Sequence, residues 1–246
     1  MLNNTNYIVG VDGCKFGWVA VAIDNDENFE ITKHVDLDSL FEKYPNATKY
    51  LIDMVIGLGS SSIPRNIEKL ARTKLKPFRS SSVFTPPCRE AIYEKNYEAA
   101  KLKNITITGK SISIQAWNIV PKIIEVDQFL LKNKSFKNKL YEAHPEICFA
   151  GLNKGMPMKE KKSTTEGITD RMNLLTSHFP KSISVLEKGR EYFLKKEVKD
   201  DDILDALVLA VTGFLGEKFG YQYISDHPIK QDTHGLEMKM IYTILK

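Results

Sequence analysis

Ile8-Val9-Gly10-Val11-Asp12-Gly13 is a short apolar run that carries one carboxylate to its end and then turns. Such a run, bounded by glycine, predicts a buried strand, and an acid at the end of a buried strand needs a chemical reason to be there. Gly17-Trp18-Val19-Ala20-Val21-Ala22-Ile23 is apolar again, so Asp12 is expected between two strands paired as a hairpin. Asp24-Asn25-Asp26-Glu27-Asn28 forms the next turn. Phe29 to Val35 alternates as a half-exposed third strand, with His34 facing solvent. Two readings of Asp12 stand at this point: a ligand for a cation, or a side chain that hydrogen-bonds the turn amides of Gly13 and Cys14.

Working outward, Asp36 or Asp38 can cap a helix through Leu37, Leu40, Phe41 and Tyr44, stopped by Pro45-Asn46. Tyr50 to Leu58 then reads as a second buried strand carrying a second acid, Asp53. Pro64 sits where a helix could begin, with Ile67, Leu70 and Ala71 on its buried stripe. A hydroxyl- and proline-rich loop over residues 79–87 precedes a helix from about Arg89 to Ala100. Another helical stretch, near Ile112 to Leu131, is kinked or divided by Pro121. Residues 139–146 suggest a short strand ended by Pro145, and Ser163-Thr164-Thr165-Glu166 matches a capping box opening a helix to Phe179. Trp18 and Trp117 are expected in the core.

The last helix, about Asp201 to Lys218, opens with Asp200-Asp201-Asp202-Ile203-Leu204-Asp205-Ala206. Asp202 and Asp205 are three apart and share a face. Acids in a first helical turn are explained by capping and the macrodipole. Asp205 lies a turn inward, where it repels Asp202 unless a cation intervenes. Ala206 and Ala210 are small enough to let this face approach a sheet closely.

Composition bounds the function without choosing it. The 246 residues are 42% hydrophobic and 27% charged, as in an ordinary soluble globular protein, read here as one domain over 1–246. A net charge of +4 permits contact with a polyanion but is too mild to require it. Cys14, Cys88 and Cys148 are widely spaced, which suggests neither a disulfide framework nor a zinc cluster and fits a reducing, cytoplasmic setting. The polar residues 1–6 do not resemble a signal peptide, and no run approaches the ~20 apolar residues of a membrane span. Neither export nor a membrane anchor is expected, and no exposed apolar stripe marks an oligomer interface.

Two strands and one helix thus each contribute carboxylates, the arrangement a hard divalent ion such as Mg²⁺ or Mn²⁺ requires. Asp12, Asp53 and at least one of Asp202 or Asp205 are expected to converge within one ion's reach. Two such ions about 4 Å apart can activate water and stabilise the leaving oxygen in phosphodiester hydrolysis.

The motifs GVDG with a following GW, LIDMVIGL, EAHPE, KKSTTEGITDRMNLL and DDILDAL resemble those of domain-of-unknown-function family 429, a group predicted to be RNase-H-like nucleases. The resemblance covers nearly the whole chain. It implies an α/β, RNase-H-like mixed sheet whose first three strands are antiparallel, with flanking helices and a helical insertion at about 60–135. DxxDA at Asp202, Asp205 and Ala206 is similar to the final helix of RuvC-type resolvases. By this resemblance Asp12, Asp53, Asp202 and Asp205 match metal-ligand positions. Glu142 or Glu146 is a further ligand, a general base or a strand-end residue contacting substrate, and Glu142 is favoured because it shares a strand face with His144.

Basic groups should surround such a site. Lys161, Lys162 and Arg171 are placed in the motif to meet phosphate beside a helix N-terminus, and Arg79 and Arg89 are candidates of the same rank. The expected substrate is therefore nucleic acid, DNA or RNA. Two alternatives are a nucleic-acid-binding or interaction protein that keeps the fold without the chemistry, and an ATPase or sugar-kinase-like phosphotransfer protein. The latter needs two such domains and a second Gly-rich phosphate loop, and the sequence has neither.

Overall fold

A computed structural model describes residues 6–245, so the reading of residues 1–5 lies outside the described residues. The opening run forms β1 (Tyr7–Gly13), which turns into β2 (Trp18–Asp24) and then β3 (Phe29–His34). Both pairings are antiparallel, with Asp12 opposite Val19 and Gly13 opposite Trp18. Helix α1 (Leu37–Lys43) is capped by Asp36, whose carboxylate accepts from the Ser39 amide at 2.8 Å. Strand β4 (Lys49–Ile52) then runs parallel to β1, with Val11 beside Ile52.

A helical insertion follows: α2 (Ile67–Lys74), a 3-10 turn at Ser80–Ser82, α3 (Arg89–Ile92), α4 (Tyr97–Thr108), α5 (Ile114–Asn118) and α6 (Val120–Lys132). Pro121 separates α5 from α6 because it sits in the first turn of α6, where its missing N–H is no loss. The stretch expected as one helix from Arg89 to Ala100 is two, α3 and α4. Asn96 starts the second by accepting from the Ala99 amide at 2.9 Å.

The chain returns as β5 (Leu140–Glu142), parallel to β4. It then builds α7 (Pro145–Leu152), α8 (Thr165–His178), α9 (Ser182–Tyr192) and α10 (Asp200–Phe219), ending in a separate hairpin of β6 (Gln222–Ser225) and β7 (Lys239–Tyr242). The main sheet is therefore mixed, in the order β3-β2-β1-β4-β5, with its first three strands antiparallel to one another. Among the described residues no helix is long and apolar enough to cross a membrane.

Alternation along the strands separates two cores. Val9, Val11, Ala20, Ala22 and Ile52 pack with residues of α1 and α6, whereas Val19, Val21, Ile23 and Leu51 pack with α7 to α10. Gly10 belongs to the second face. A Cβ there would lie 2.1 Å from the Ala206 carbonyl oxygen and 2.2 Å from the Ala210 amide nitrogen, so α10 rests on the bare backbone of β1. The small residues Ala206 and Ala210 do bring this helix close to the sheet, as their spacing predicts.

Three local expectations are corrected. His34 is buried, because Thr32 and Tyr44 cover it: its Nε2 lies 2.8 Å from the Thr32 hydroxyl. The cap of α8 is Thr164, whose hydroxyl accepts from the Gly167 amide at 3.1 Å, one residue later than the expected Ser163. Pro145 opens a helix, with His144 as its cap, rather than only ending a strand. Trp18 is fully buried, as expected, while Trp117 is partly buried against the α3–α4 core.

Candidate active site

Because Gly10 faces α10, its neighbour two residues on, Asp12, faces the same way at the carboxyl end of β1. Asp53 follows β4 directly, and its amide extends the ladder by donating to the Val11 carbonyl at 2.9 Å. The two acids thus leave adjacent parallel strands at their carboxyl ends. Asp205, one residue before the Ala206 that touches Gly10, comes from α10 to the same place. All three line one cavity of about 560 Å³, together with Glu146, His144 and Lys162.

The turn after β1 does not use Asp12 as a cap, since the Cys14 amide donates to the Gly17 carbonyl at 3.0 Å. Burial holds the Asp12 carboxyl well above the usual carboxylate range, and the neighbouring Asp205 and Asp53 push it further. Asp53 is raised by burial, against the pull of His144 and Lys162. Burial pushes Asp205 up to about 7 even though the Lys162 ammonium donates a hydrogen bond to it. Burial opposes the charge of Lys162, but Asp205, Asp12 and Asp53 outweigh it and hold the ammonium above its ordinary range.

Asp202 stands apart from this group. Its carboxylate accepts from the Lys199 amide at 2.8 Å, closing the first turn of α10, and it does not line the cavity. The explanation by capping, open to every acid of the first turn, belongs to Asp202. Asp200 instead pairs with Arg190 at 2.7 Å.

Glu142 and Glu146 both line the cavity, but they reach it from different elements, β5 and α7. Glu142 lies beside Ile52 on the opposite face of the sheet from Asp12, where it accepts from Arg65 at 2.5 Å and from the Ile56 amide at 2.8 Å. Burial pushes its carboxyl up to about 7 against the opposing Arg65 charge. His144 shares no strand face with it, because β5 ends at Glu142. Glu146 has one oxygen bonded to Arg171 at 2.6 Å, while its Oε2 is buried with no hydrogen-bond partner among the described residues.

Of the basic candidates, Lys161, Lys162 and Arg79 line the cavity and two others do not. Arg171 is 1% exposed and is held by Glu146 and by the carbonyls of Glu160 and Gly167, so it positions the acid instead of meeting a substrate. Arg89 is buried in a bidentate pair with Asp127, at 2.7 and 2.8 Å, and also bonds Asp232 at 2.5 Å. It ties the insertion to the C-terminal segment. Lys122 was not among the candidates. It lines the cavity with its ammonium 4.1 Å from the centre of the Trp18 ring, and burial lowers its pKa. Its signal in the sequence is one helical turn: Glu125, three residues on, accepts from the Trp18 indole at 2.9 Å.

The donor set suits a hard divalent cation in kind and charge. Asp12, Asp53, Asp205 and Glu146 present four carboxylates to two paired cations, Lys162 and Arg171, and one carboxylate oxygen is an orphan. The spacing differs from expectation: among the described residues no three His, Cys, Asp or Glu side chains are close enough together to hold an ion. Lys162 already supplies a positive charge there.

A family model described as a protein of unknown function (DUF429) matches residues 10–217, from the glycine under α10 to near the end of α10 itself. No curated protein and no solved structure matches the chain.

Proposed function

The chain belongs to the DUF429 family of proteins of unknown function, and from that premise we propose that it is a divalent-metal-dependent nuclease built on an RNase-H-like core. The observation that carries this reading is the delivery of Asp12 and Asp53 by adjacent parallel strand ends to one cavity with Asp205 of α10. The sheet order, with three antiparallel strands followed by two parallel ones, supports the fold assignment.

Asp12, Asp53, Asp205 and the free oxygen of Glu146 are the groups that would hold Mg²⁺ or Mn²⁺. When bound, such an ion supplies an activated water and neutralises charge on the phosphate. Lys162 serves as the internal counter-ion of these acids, and were an ion to take its place at Asp205, its ammonium would be free to meet a phosphate oxygen. Arg171 fixes the Glu146 carboxylate, and Lys161 and Arg79 attract the polyanion to the cavity.

The test is a panel of labelled single-stranded, duplex and branched DNA and RNA incubated with Mn²⁺, comparing wild type with Asp12→Asn and Asp205→Asn. Cleavage by wild type that both substitutions abolish is the expected result. Equal cleavage by all three proteins would place the activity elsewhere. No cleavage by wild type on any substrate would favour a binding protein that keeps the core without the chemistry.

A further inference from the structure

The floor of the cavity is acidic, but its rim is aromatic and comes from the insertion. Phe84 lines the cavity and is 45% exposed, whereas its neighbour Val83 is buried in the core. The exposure of Phe84 is not the slack of a loose loop. Arg72 donates to the Val83 carbonyl at 2.9 Å and to the Thr85 hydroxyl at 2.6 Å, holding the backbone on one side of the ring and a side chain on the other. The Ser82 carbonyl lies 3.4 Å from His144 Nε2, which ties the same loop to the cap of α7 beside the acids.

Arg79 enters the cavity from the start of this loop. Its Nε is buried with no hydrogen-bond partner, and its guanidinium makes no ion pair among the described residues, so its charge is uncompensated where it lines the cavity. A flat apolar face, an unspent cation and a carboxylate floor therefore share one space of about 560 Å³, within the range of pockets that enclose small ligands.

A base stacks on an aromatic ring only when its own face is uncovered, and in a duplex both faces are occupied by neighbouring bases. We propose that the cavity takes an unpaired nucleotide of a single strand, its base against Phe84 and its phosphate held by Arg79 and Lys161 above the acids. The proposal rests on the nuclease reading and narrows its substrate to single-stranded nucleic acid. It makes Phe84 a specificity determinant that takes no part in the chemistry.

The test measures binding by fluorescence anisotropy, in an Asp12→Asn background with Mn²⁺ so that cleavage is suppressed. The probes are labelled oligothymidylate and oligouridylate of roughly ten nucleotides, within the site sizes of single-strand binders. The same strands annealed to complements and unlabelled thymidine monophosphate serve as competitors. The expected result is tighter binding of either single strand than of its duplex. Phe84→Ala should weaken the single strand by about 5- to 100-fold, as loss of one stacked base does, and Phe84→Tyr should restore it. Because the ring is exposed, Phe84→Ala should melt at the wild-type temperature. Duplex affinity equal to or above single-strand affinity, an unchanged Phe84→Ala, a mononucleotide that binds as tightly as the strand, or no binding by any probe would each overturn the proposal. Failure of the nuclease reading looks different: wild type cleaves nothing while the Phe84 effect on strand binding persists.

Discussion

The ammonium of Lys162 donates a hydrogen bond to the carboxylate of Asp205 inside a cluster of acids, and it lies 4.0 Å from Asp201 on the same helix. The pair joins the loop before α8 to α10. It supplies one positive charge where Asp12, Asp53 and Asp205 would otherwise repel one another. Because Lys162 is 42% exposed and Asp205 5%, the lysine can swing into solvent while the acid cannot.

Lys162→Met is therefore expected to destabilise the metal-free protein by about 1–3 kcal/mol at pH 8, the range for leaving a buried polar group without its partner. The loss should shrink at pH 5, where Asp205 takes up a proton. Urea unfolding at the two pH values checks this, and equal losses would deny the coupling. In the same variant Mn²⁺ should bind more tightly, since no ammonium has to be displaced.

Stability of the metal-free protein should fall as pH rises. Asp205 titrates near 7 in the folded chain and near about 3.9 when unfolded, so between those values the folded state holds the extra proton. Asp12 and Asp53, both raised, act in the same direction. The destabilisation is absent below about pH 4 and complete above about pH 7. Asp205→Asn should flatten the profile, measured by thermal melting from pH 4 to 8. Metal affinity should move the opposite way, rising with pH through 7 as protons leave the ligands.

Gly10→Ala should be among the most damaging small substitutions. The added methyl meets backbone atoms of Ala206 and Ala210 at 2.1 and 2.2 Å, and backbone cannot rotate aside. Overpacking of this kind costs about 1–3 kcal/mol or more. Lifting α10 also carries Asp205 away from Asp12, so activity should be lost even at temperatures where the variant remains folded. A thermal melt paired with the cleavage assay separates the two effects.

Much of this arrangement is legible in the sequence because it depends on local chemistry. One apolar run ending in Asp12 and another carrying Asp53 predict strand-borne carboxylates, although the second strand stops at Ile52 instead of running to Leu58, and small residues at Ala206 and Ala210 predict a helix close to a sheet. What the pattern misstates depends on partners distant in sequence. Glu142 and Glu146 are reached by different arginines, Arg65 from the loop after β4 and Arg171 from α8, and this sets what each acid has left to offer. No local periodicity reports that choice. Arg89 and Arg171 look like exposed phosphate binders until their acids, Asp127, Asp232 and Glu146, arrive from other elements. Asp202 differs from Asp205 by the loop that precedes α10, which presents the Lys199 amide to it.

Glu142 and Glu146 should accordingly respond differently to the same amide substitution. Glu142→Gln takes one of two carboxylates from the buried Arg65 and leaves Glu68, at 2.6 Å, as the other, so the loss should stay below the about 3–5 kcal/mol of a fully broken buried pair. Cleavage per folded molecule should be largely retained. Glu146→Gln removes a proposed ion ligand and also the one carboxylate paired with the buried Arg171 among the described residues, so it should raise the Mn²⁺ requirement and cost about 3–5 kcal/mol of stability. Unfolding curves together with metal-dependence curves for both variants check the assignment.

Crystals soaked in Mn²⁺ near neutral pH test most directly, through anomalous scattering, whether Asp12, Asp53 and Asp205 hold a divalent ion. The expected result is a peak bounded by Asp12 and at least one of Asp53 and Asp205, with the Lys162 ammonium moved off Asp205. A map with no anomalous density there at saturating Mn²⁺, and with Lys162 still bonded to Asp205, would contradict it.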